Sequence, residues 1–256
     1  MLVAVDVGNT SISLGVYKGQ RLVKSGRILT GPHTSTRQVT SGLRSLFRRL
    51  KVRAGSVENV LMVSVVPKTT TKVKTALKKL CGVAPKVVGK GVKAPIRNLY
   101  KRPSQVGQDR LVNAVAARHK YGTPVLVIDF GTAITIDLVS KRGEYAGGVI
   151  VPGIEISLET LTQRAALLPK LKLKAPHKVL GRDTTHSMQS GVFHGFGSLC
   201  DGLIQKLKSE ARVGRVTVVA TGGQARAISP FLRVVHRVDE HLTLDGLVHI
   251  YLQKTP

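Results

Sequence analysis

The sequence is poor in cysteine and in aromatic residues, and it has no long apolar run. It contains no tryptophan and two cysteines, and aromatic residues make up 4% of its 256 residues. Because Cys81 and Cys200 are far apart in segments with a helical pattern, a disulfide framework is not supported, and we expect two buried free thiols. No stretch reaches the roughly 18 apolar residues of a membrane span. Asp6 interrupts the first apolar run, which argues against a signal peptide, so we expect a cytoplasmic protein.

Acidic residues are also scarce. The chain has 14 Asp and Glu against 40 Lys and Arg, which gives a formal net charge of +26. A surface of this charge attracts anions, either small molecules or nucleic acid. The cations concentrate in three clusters, none of which is a pure basic tail: Arg44–Arg53, Lys68–Lys79 and Lys170–Lys178. We interpret them as solvated faces and loops, and a dedicated nucleic-acid surface is the less favoured interpretation.

Several common catalytic and metal-binding motifs are missing. The chain contains no G-x-x-x-x-G-K-[ST], no H-E-x-x-H and no G-x-S-x-G. The segment "GFGSLC" has Cys200 in place of the third glycine of a dinucleotide-binding loop and no strand before it, so a packed helix is the better interpretation. The eight histidines lack zinc spacing, and we expect no metal-binding histidine.

What the sequence does contain is an internal repeat. The segment "VAVDVGNTSISLGVYKGQ" is matched in outline, later in the chain, by "LVIDFGTAITIDLVSKRG". In this alignment Asp6 corresponds to Asp129 and Gly8 to Gly131. The repeat predicts two halves, each with a three-stranded meander followed by a helix. The alternative is a chance similarity between two strand-turn-strand units.

The patterns around the repeat alternate between strand and helix. A third strand candidate follows each copy, over residues 21–29 and 144–151, and apolar residues at helical spacing run from Val39 to Leu50. Buried strands are predicted for "NVLMVSVV", "KVVG" and "RVTVVATGG", with a further helix from Val73 to Cys81. This order predicts an α/β fold in which both halves have three layers.

The segment D-x-G-[NT] at a hairpin turn is suited to phosphate. Gly8 and Gly131 lack a Cβ, so the turn can adopt positive φ and a ligand can approach its backbone N–H groups closely. Short polar donors surround the two glycines: Asn9, Thr10, Ser11, Thr132 and Thr135. Asp6 and Asp129 add hard oxygen ligands for the cations that accompany ATP. We expect the two loops to face each other and to bind a triphosphate from both sides.

Tandem meanders of this kind with a late glycine-rich turn resemble the superfamily of acetate and sugar kinases, actin and heat-shock ATPases. The central segment "NLYKRPSQVGQDR", residues 98–110, is similar to the substrate loop of one family within it, the type III pantothenate kinases. The other motifs agree in order with that family across nearly the whole chain: "DVGNT", "DFGTAIT", "YAGGVIVPG", "GRDT" and "ATGGQA". The resemblance implies two duplicated ribonuclease H-like halves, each a mixed five-stranded sheet flanked by helices. Residues 1–117 would carry the ATP phosphate loop, and residues 118–256 a second phosphate loop and the adenosine turn.

By this resemblance, the chain uses ATP to phosphorylate the primary hydroxyl of pantothenate to 4'-phosphopantothenate, the first step of coenzyme A biosynthesis. Asp109 matches the family's general base, which orients the alcohol and accepts its proton. Without the resemblance we would interpret Asp109 as a helix N-cap, Arg110 as a surface charge and Thr184 as a helix cap. The family's substrate contacts correspond to Tyr100, Gly107, Gln108, Asp109, Arg110 and Thr184.

The resemblance also assigns nucleotide and cation sites. The residues that correspond to ATP contacts are Asp6, Val7, Gly8, Asn9, Thr10, Ser11, Ile12, Ser13, Thr132, Gly222 and Gly223. Asp129 matches that family's ligand for a monovalent cation, potassium or ammonium, and a cation would offset the cost of burying its carboxylate. Mg²⁺ is expected to accompany ATP near Asp6, through water. The family's pocket is shared across a two-fold homodimer.

One departure and two alternatives stand beside this interpretation. Ile134 occupies a position where the family usually has threonine, which removes a hydroxyl beside the second phosphate loop and predicts weaker ATP binding. The main alternative is a non-catalytic regulatory or nucleic-acid-binding protein on the same fold. Against it, Asp109 is retained, and no helix interleaves basic with aromatic residues. The other alternative is a different small-molecule kinase of the superfamily.

Overall fold

The chain divides into two compact units. The computed structural model describes residues 1–31 and 34–253. Unit 1 comprises residues 1–119 and the segment that begins at His241, and unit 2 comprises Lys120–Glu240. The sequence predicts a boundary between residues 117 and 118, with the C-terminal segment in the second half. In the structure that segment packs in unit 1.

Strands and helices alternate over much of the described chain. The strands are β1 (Leu2–Val7), β2 (Ser11–Lys18), β3 (Arg21–Leu29), β4 (Asn59–Ser64), β5 (Lys86–Val88), β6 (Gly91–Val92), β7 (Val125–Phe130), β8 (Ala133–Val139), β9 (Tyr145–Pro152), β10 (Thr217–Thr221) and β11 (Arg237–Val238). The helices are α1 (Thr36–Arg49), α2 (Pro67–Cys81), α3 (Gln108–Tyr121), α4 (Ile154–Arg164), α5 (Thr184–Glu210), α6 (Ala225–Ile228) and α7 (Leu242–Leu252). This order is that of the α/β fold expected from the sequence.

Unit 1 contains a mixed sheet with the strand order β3-β2-β1-β4-β5-β6. The meander β1–β2–β3 is antiparallel, and β4, β5 and β6 continue the sheet in parallel from β1. The sheet has one strand more than the five expected, because Gly91 and Val92 pair with β5. The Gly89 N–H closes this short connection by donating to the Val92 carbonyl at 2.7 Å.

Helices cover both faces of the unit 1 sheet. Successive residues of β1 point to opposite faces, so Val3 and Val5 pack with α1 and α2, whereas Leu2 and Ala4 pack against α7. The inward residues of α1 recur at helical spacing: Val39, Leu43, Leu46 and Phe47. The second face is closed by apolar residues of α3 and α7: Val112, Val115, Leu244, Leu247, Val248 and Ile250. Burial on both faces explains why β1 is almost continuously apolar.

The ends of α1 and α2 follow from local signals. The Ser35 hydroxyl accepts from the Gln38 N–H at 3.2 Å, and the Gln38 side chain accepts from the Ser35 N–H at 2.7 Å, which forms a capping box at the start of α1. Helix α2 begins at Pro67, where a missing N–H is tolerated, and ends at Gly82, which has a φ of 75°.

Unit 2 contains a five-stranded sheet with the order β11-β10-β7-β8-β9. Its core lies between this sheet and the helices α4, α5 and α6. The segment "GFGSLC" lies inside α5, as expected, and a Cβ on Gly197 would lie 2.3 Å from the Phe231 carbonyl oxygen. Neither this 27-residue helix nor another helix of the described ranges is long and apolar enough to cross a bilayer.

The internal repeat reappears in the strand registers. In both meanders the acidic residue of the first strand lies opposite a hydroxyl residue, Asp6 opposite Ser13 and Asp129 opposite Thr135. In both meanders the pairing of the second strand with the third shifts register at a corresponding position. The shift lies between residues 16 and 17 of β2 and between residues 138 and 139 of β8. A shared irregularity is not expected from two unrelated hairpins, and it supports duplication.

Both cysteines are free, as expected, but only Cys200 has the expected burial. Cys200 is buried in α5, and Cys81 is half-buried at the end of α2. Burial raises the pKa of Cys81 to about 11, and burial together with the charge of Asp201 raises the pKa of Cys200 to about 12. Both side chains are therefore protonated thiols at neutral pH.

Candidate active site

The first glycine turn joins β1 to β2 in unit 1. The Gly8 N–H donates to the Ser11 carbonyl at 3.0 Å, and Asn9 and Thr10 are exposed at the tip. The Thr10 carbonyl accepts from the Thr30 N–H at 2.8 Å, which attaches the turn to the end of β3. The turn is thus held by backbone bonds, while the side chains at its tip are exposed.

Two residues assigned to ATP have side chains directed away from this turn. Val7 and Ile12 are fully buried in the core of unit 1. They can therefore offer a ligand only backbone groups. Asp6, Ser11 and Ser13 are half-buried, and their polar side chains remain candidates for direct contact.

The second glycine turn joins β7 to β8 in unit 2 and is one residue shorter. Three residues separate the last paired positions of its strands, whereas four separate those of the first turn. The Gly131 N–H donates to the Ala133 carbonyl at 3.2 Å. Thr132 is half-buried beside it.

Neither turn glycine uses the positive φ that glycine permits. Gly222 is among the glycines with positive φ, but Gly8 and Gly131 are not. A Cβ on Gly8 would lie 3.4 Å from the Ser11 carbonyl oxygen, and a Cβ on Gly131 would lie 3.4 Å from that of Ala133. These are ordinary contacts. The fold by itself therefore does not require glycine at either turn.

Ile134 flanks the second turn, but its side chain points into the apolar core. Its side chain is fully buried with the other apolar residues of unit 2. A threonine hydroxyl at this position would also face the core, so the structure gives no support to the expected loss of a phosphate contact. The neighbouring Thr135 hydroxyl donates to Asp137 Oδ2 at 3.1 Å.

Unit 2 brings Asp129 and the predicted adenosine turn together. Thr221, the last residue of β10, is the register partner of Asp129 on β7. Gly222 follows with a φ of 94°, and a Cβ there would lie 2.4 Å from Asp129 Oδ1 and 2.7 Å from the Phe130 backbone. The Gln224 N–H donates to the Phe130 carbonyl at 3.2 Å. Both the backbone conformation and the close approach require glycine at position 222.

Gly153 supports the second turn, a role not assigned to it from the sequence. Its N–H donates to the Thr132 carbonyl at 3.2 Å, and a Cβ on Gly153 would lie 2.2 Å from the same oxygen. On the first turn of α4, Glu155 Oε1 accepts from Gln224 Nε2 at 2.6 Å. The glycine is part of the motif "YAGGVIVPG", but its contact with Thr132 depends on the pairing of β8 with β9.

Asp109 lies inside the first turn of α3, which begins at Gln108, so it is not the N-cap. Its Oδ1 accepts from the Arg110 N–H at 2.8 Å. A Cβ on Gly107 would lie 2.4 Å from the same oxygen, so glycine leaves room for the carboxylate. Asp109 is half-buried and is not enclosed in an apolar core. A carboxylate at this position also interacts favourably with the helix dipole.

Arg110 is buried, with 7% of its surface exposed. The interpretation of this residue as a surface charge is therefore wrong. A buried guanidinium has five N–H donors and requires acceptors around it. An inward-directed arginine beside the candidate base is consistent with an anionic substrate.

The loop before α3 is organised by Asn98, which was not singled out from the sequence. Asn98 Oδ1 accepts from the Tyr100 N–H at 3.0 Å, and its Nδ2 donates to the Pro103 carbonyl at 3.2 Å. At the end of this loop, the Gln108 side chain packs against Gly89, where a Cβ would lie 2.7 Å from Gln108 Cγ. These contacts fix the path of the chain that leads to Asp109.

Thr184 is the first residue of α5 and is exposed. The N-cap is Asp183, whose Oδ1 accepts from the His186 N–H at 2.7 Å, so Thr184 is not a helix cap. A cavity of about 760 Å³ opens between α4 and α5 beside it. Arg182, Asp183 and Thr184 are polar residues that line part of this cavity. Most of the remaining lining is apolar: Leu158, Leu161, Leu168, Met188, Val192 and Phe196.

A cation site among the described residues would have fewer than three His, Cys, Asp or Glu ligands. No group of three or more His, Cys, Asp or Glu in the described ranges is arranged to hold a metal ion. Asp6 and Asp129 each stand at the end of the strand before a glycine turn. A magnesium ion usually keeps several waters and binds one or two carboxylates together with phosphate oxygens, a requirement that a single aspartate beside a phosphate loop fits.

The chain matches one family over most of its length. A sequence model described as type III pantothenate kinase matches residues 2–206. The type III pantothenate kinase of Geobacter sulfurreducens is 40% identical over 251 residues, which cover 98% of each chain. That of an Exiguobacterium species is 43% identical over the same shares.

A solved structure agrees at the level of the fold. The activator of 2-hydroxyisocaproyl-CoA dehydratase from Clostridium difficile, with bound ADPNP, has a TM-score of 0.57 and 12% identity, covering 98% of this chain and 94% of that one. The motif order, the duplicated meanders and the sequence relatives lead to one assignment. The chain belongs to the type III pantothenate kinase family.

Proposed function

We propose that the chain transfers the γ-phosphoryl group of ATP to the primary hydroxyl of pantothenate, which gives 4'-phosphopantothenate and ADP. The observation that supports this most is the identity of about 40% with pantothenate kinases over 98% of the chain, together with the position of Asp109. The same match favours the kinase over the non-catalytic alternative.

In the reaction, the hydroxyl oxygen of pantothenate attacks the γ-phosphorus while the bond from that phosphorus to the β,γ-bridging oxygen breaks. Asp109 orients the hydroxyl and accepts its proton, and ADP leaves with the bridging oxygen. One oxygen of this carboxylate already accepts from the Arg110 N–H at 2.8 Å. That bond restrains the rotation of the carboxylate, which supports the proposed role of Asp109 as the base.

The two glycine turns are proposed to contact the phosphates of ATP. Around Gly8, backbone N–H groups and the side chains of Asn9 and Thr10 are suitable donors. Thr132 adds a hydroxyl on the second turn, and Gly222 and Gly223 leave space for the nucleoside. When bound with ATP near Asp6, Mg²⁺ supplies neutralisation of the phosphate charge.

Asp129 is proposed to hold a potassium or ammonium ion. Its carboxylate lies beside Gly222 at the end of β7, where it can place one negative charge next to the nucleotide turn. Replacement of potassium by sodium should slow the wild type, and Asp129→Asn should remove this difference. Equal rates of the wild type in both salts would contradict the assignment.

Pantothenate is proposed to bind through Tyr100, Gly107, Gln108, Arg110 and Thr184. Buried Arg110 supplies a positive charge for the substrate carboxylate, and exposed Thr184 supplies a hydroxyl beside an apolar cavity. The homodimer and the cytoplasmic location remain predictions. Light scattering of the purified protein tests the first.

The direct test measures ADP release with ATP, Mg²⁺, a potassium or ammonium salt and pantothenate. Asp109→Asn keeps the shape of the side chain and removes the base, so kcat should fall by about 10²–10⁴-fold. Glu58→Gln is the matched control, since it changes an exposed carboxylate of the same unit that pairs with the N-terminus at 2.9 Å.

Two results would contradict the proposal. One is wild-type turnover that does not depend on pantothenate, which would point to another kinase of the superfamily. The other is an Asp109→Asn variant as fast as Glu58→Gln, which would remove Asp109 from the chemistry.

A further inference from the structure

Helices α1 and α2 carry positive charges only. They pack side by side and cover the same face of the unit 1 sheet. Together they contain nine basic residues and no acidic residue. We call this group the basic face: Arg37, Arg44, Arg48, Arg49, Lys68, Lys72, Lys74, Lys78 and Lys79.

The basic face points away from the protein core. The apolar stripes of both helices are buried against the sheet, so their charged sides are outward, and eight of the nine basic residues are exposed. Half-buried Lys72 donates to the Thr34 carbonyl at 2.7 Å, and Arg49 donates to the Arg27 carbonyl at 3.2 Å. Within the described ranges, no acidic side chain forms a salt bridge with any member of the basic face.

Helix stability does not account for this pattern. Cations in the last turn of each helix, such as Arg48 and Lys78, interact favourably with the helix dipole. Arg37 and Lys68, however, lie in the first turns, where the dipole favours acidic residues and none is present. Like charges four residues apart, as in Arg44 and Arg48 or Lys74 and Lys78, repel each other and destabilise an isolated helix.

The general basicity of the chain does not account for the pattern either. Residues 1–119 contain 23 Lys and Arg and three Asp and Glu, whereas residues 120–256 contain 17 and 11. The helices that follow the second meander, α4 and α5, have three basic and four acidic residues. The corresponding helices of the two units therefore differ in charge, and nine of the 23 Lys and Arg of residues 1–119 lie on α1 and α2.

The other residues of this surface indicate the chemistry of a partner. Small hydroxyl residues are exposed between the cations: Ser41, Ser45, Thr71 and Thr75. Arg, Lys, Ser and Thr are the side chains that contact phosphate oxygens in nucleic-acid complexes. On α1 and α2 no large apolar or aromatic side chain is exposed. Insertion into a lipid surface and stacking on unpaired bases both require such side chains.

The dimensions also fit a double helix. Helices of 14 and 15 residues are about 21 and 22 Å long. Over about 21 Å, B-form DNA presents about 12 phosphates, at one charge per about 1.7 Å. A rigid face with several cations along this length can therefore meet several phosphates at once.

We propose that the basic face binds the phosphate backbone of double-stranded DNA without reading its sequence. This is a second function, independent of the proposed kinase reaction. Binding would offset the repulsion between the cations and release counterions from the DNA, which makes the affinity strongly dependent on salt.

The test measures binding to a fluorescein-labelled DNA duplex of 20 base pairs by anisotropy, between 50 and 300 mM KCl. The charge-removal variant is Arg44→Gln, Arg48→Gln, Lys74→Gln and Lys78→Gln combined. Its affinity at 50 mM KCl should fall at least about tenfold, and the slope of log K against log salt should become shallower by about 3.6, since each lost contact contributes about 0.9.

The matched control removes four exposed cations from unit 2: Lys141→Gln, Arg142→Gln, Lys206→Gln and Arg215→Gln. Net charge changes equally, so an affinity within about threefold of the wild type would support a surface located on α1 and α2. Equal losses in both variants would overturn the proposal, because the binding would then reflect overall charge alone.

Two competitors test the identity of the partner. The wild type should prefer the duplex to a single strand of the same length and to vesicles that contain anionic phospholipid. Tighter binding to either would overturn the proposal. Kinase activity of both variants should match the wild type, and the melting temperature of the charge-removal variant should not fall, since the removed cations repel each other. A charge-removal variant that melts lower is replaced by the pair Lys74→Gln and Lys78→Gln, for which a slope change of about 1.8 is expected.

Discussion

Unit 1 and unit 2 share a meander, but they support their glycine turns differently. The turn of unit 1 is longer by one residue and exposes Asn9 and Thr10. The turn of unit 2 is packed by Gly153, and Gly222 lies against the strand that leads into it. One repeated unit therefore provides an exposed polar loop in the first case and a closely supported loop in the second. Duplication preserved the strand register, whereas the surroundings of each turn diverged.

The largest stability effect should come from α7, which completes unit 1. Leu247 is fully buried, so Leu247→Ala should lower the free energy of unfolding by about 3 kcal/mol. Hydrogen exchange should become faster in β1 and β4 and remain unchanged in β7 and β10. Leu199→Ala, at a side chain with 41% exposure on α5, is the control and should cost less than about 1 kcal/mol. If Leu247→Ala accelerated hydrogen exchange equally in the sheets of both units, the division into units would be contradicted.

Gly222→Ala should show how closely unit 2 is packed at the turn that follows β10. The positive φ and the contacts with the Phe130 backbone should together cost about 2–3 kcal/mol of unfolding free energy, measured by urea denaturation. Gly82→Ala in unit 1 is the comparison, because φ there is 75° and a Cβ would meet nothing within 4 Å. It should cost only about 1 kcal/mol. A larger loss of unfolding free energy for Gly82→Ala than for Gly222→Ala would contradict the close packing described at position 222.

Alanine at the two turn glycines separates binding from folding. Because a Cβ fits in the unbound fold, Gly8→Ala and Gly131→Ala should leave the melting temperature nearly unchanged. Each should raise the KM for ATP about tenfold, or about 1.4 kcal/mol, if phosphates approach the backbone there. Gly55→Ala, with nothing within 4 Å, is the control. An unchanged KM in one variant would assign phosphate binding to the other turn alone.

The two capped helices allow a smaller comparison between the units. Ser35→Ala at α1 and Asp183→Ala at α5 each remove an acceptor for a backbone N–H, and each should cost about 1 kcal/mol of unfolding free energy. Salt should reduce only the effect of Asp183→Ala, because only that side chain is charged. Thermal unfolding at low and high KCl measures both effects, and equal salt sensitivity would contradict this account.

The smallest effect concerns pH in unit 1. His249 stacks on His119 with ring centroids 3.6 Å apart, and burial, His119 and Arg118 lower the pKa of His249 from 6.5. The unfolded chain therefore takes up the proton first, so this contribution to stability is complete above about pH 6.5 and is lost as the pH falls toward the lowered value. His249→Gln should reduce the decrease in melting temperature between pH 7 and 5.5 by about 1 °C. The control is His177→Gln, at an exposed residue, which should leave this decrease in melting temperature unchanged.

Much of the fold could be predicted because its signals are local. Strands β1, β4, β7 and β10 are buried and nearly continuous apolar runs, and α1 repeats its apolar residues at helical spacing. Helix α7 was not foreseen as part of unit 1, because apolar residues occupy most of its surface and give no indication of which sheet they cover. The two-residue strand β6 is too short for any periodicity to show.

The candidate site was predictable only where residues recur in motifs. The repeat identified Asp6 and Asp129, and the segment before α3 identified Asp109. The supporting residues do not recur in the repeat: Gly153 contacts Thr132 where the adjacent strands β8 and β9 end, and Asn98 acts by hydrogen bonds within its loop. Burial of Arg110 is likewise a tertiary property, since an arginine near a helix start is usually exposed.

The position of α7 in the chain has a consequence for biosynthesis. On the ribosome, all of unit 2 emerges before the helix that completes unit 1, so the nascent chain can close the later unit while the earlier sheet still has an uncovered apolar face. Chaperone binding during translation is therefore expected at β1 and β4, although these strands are made first.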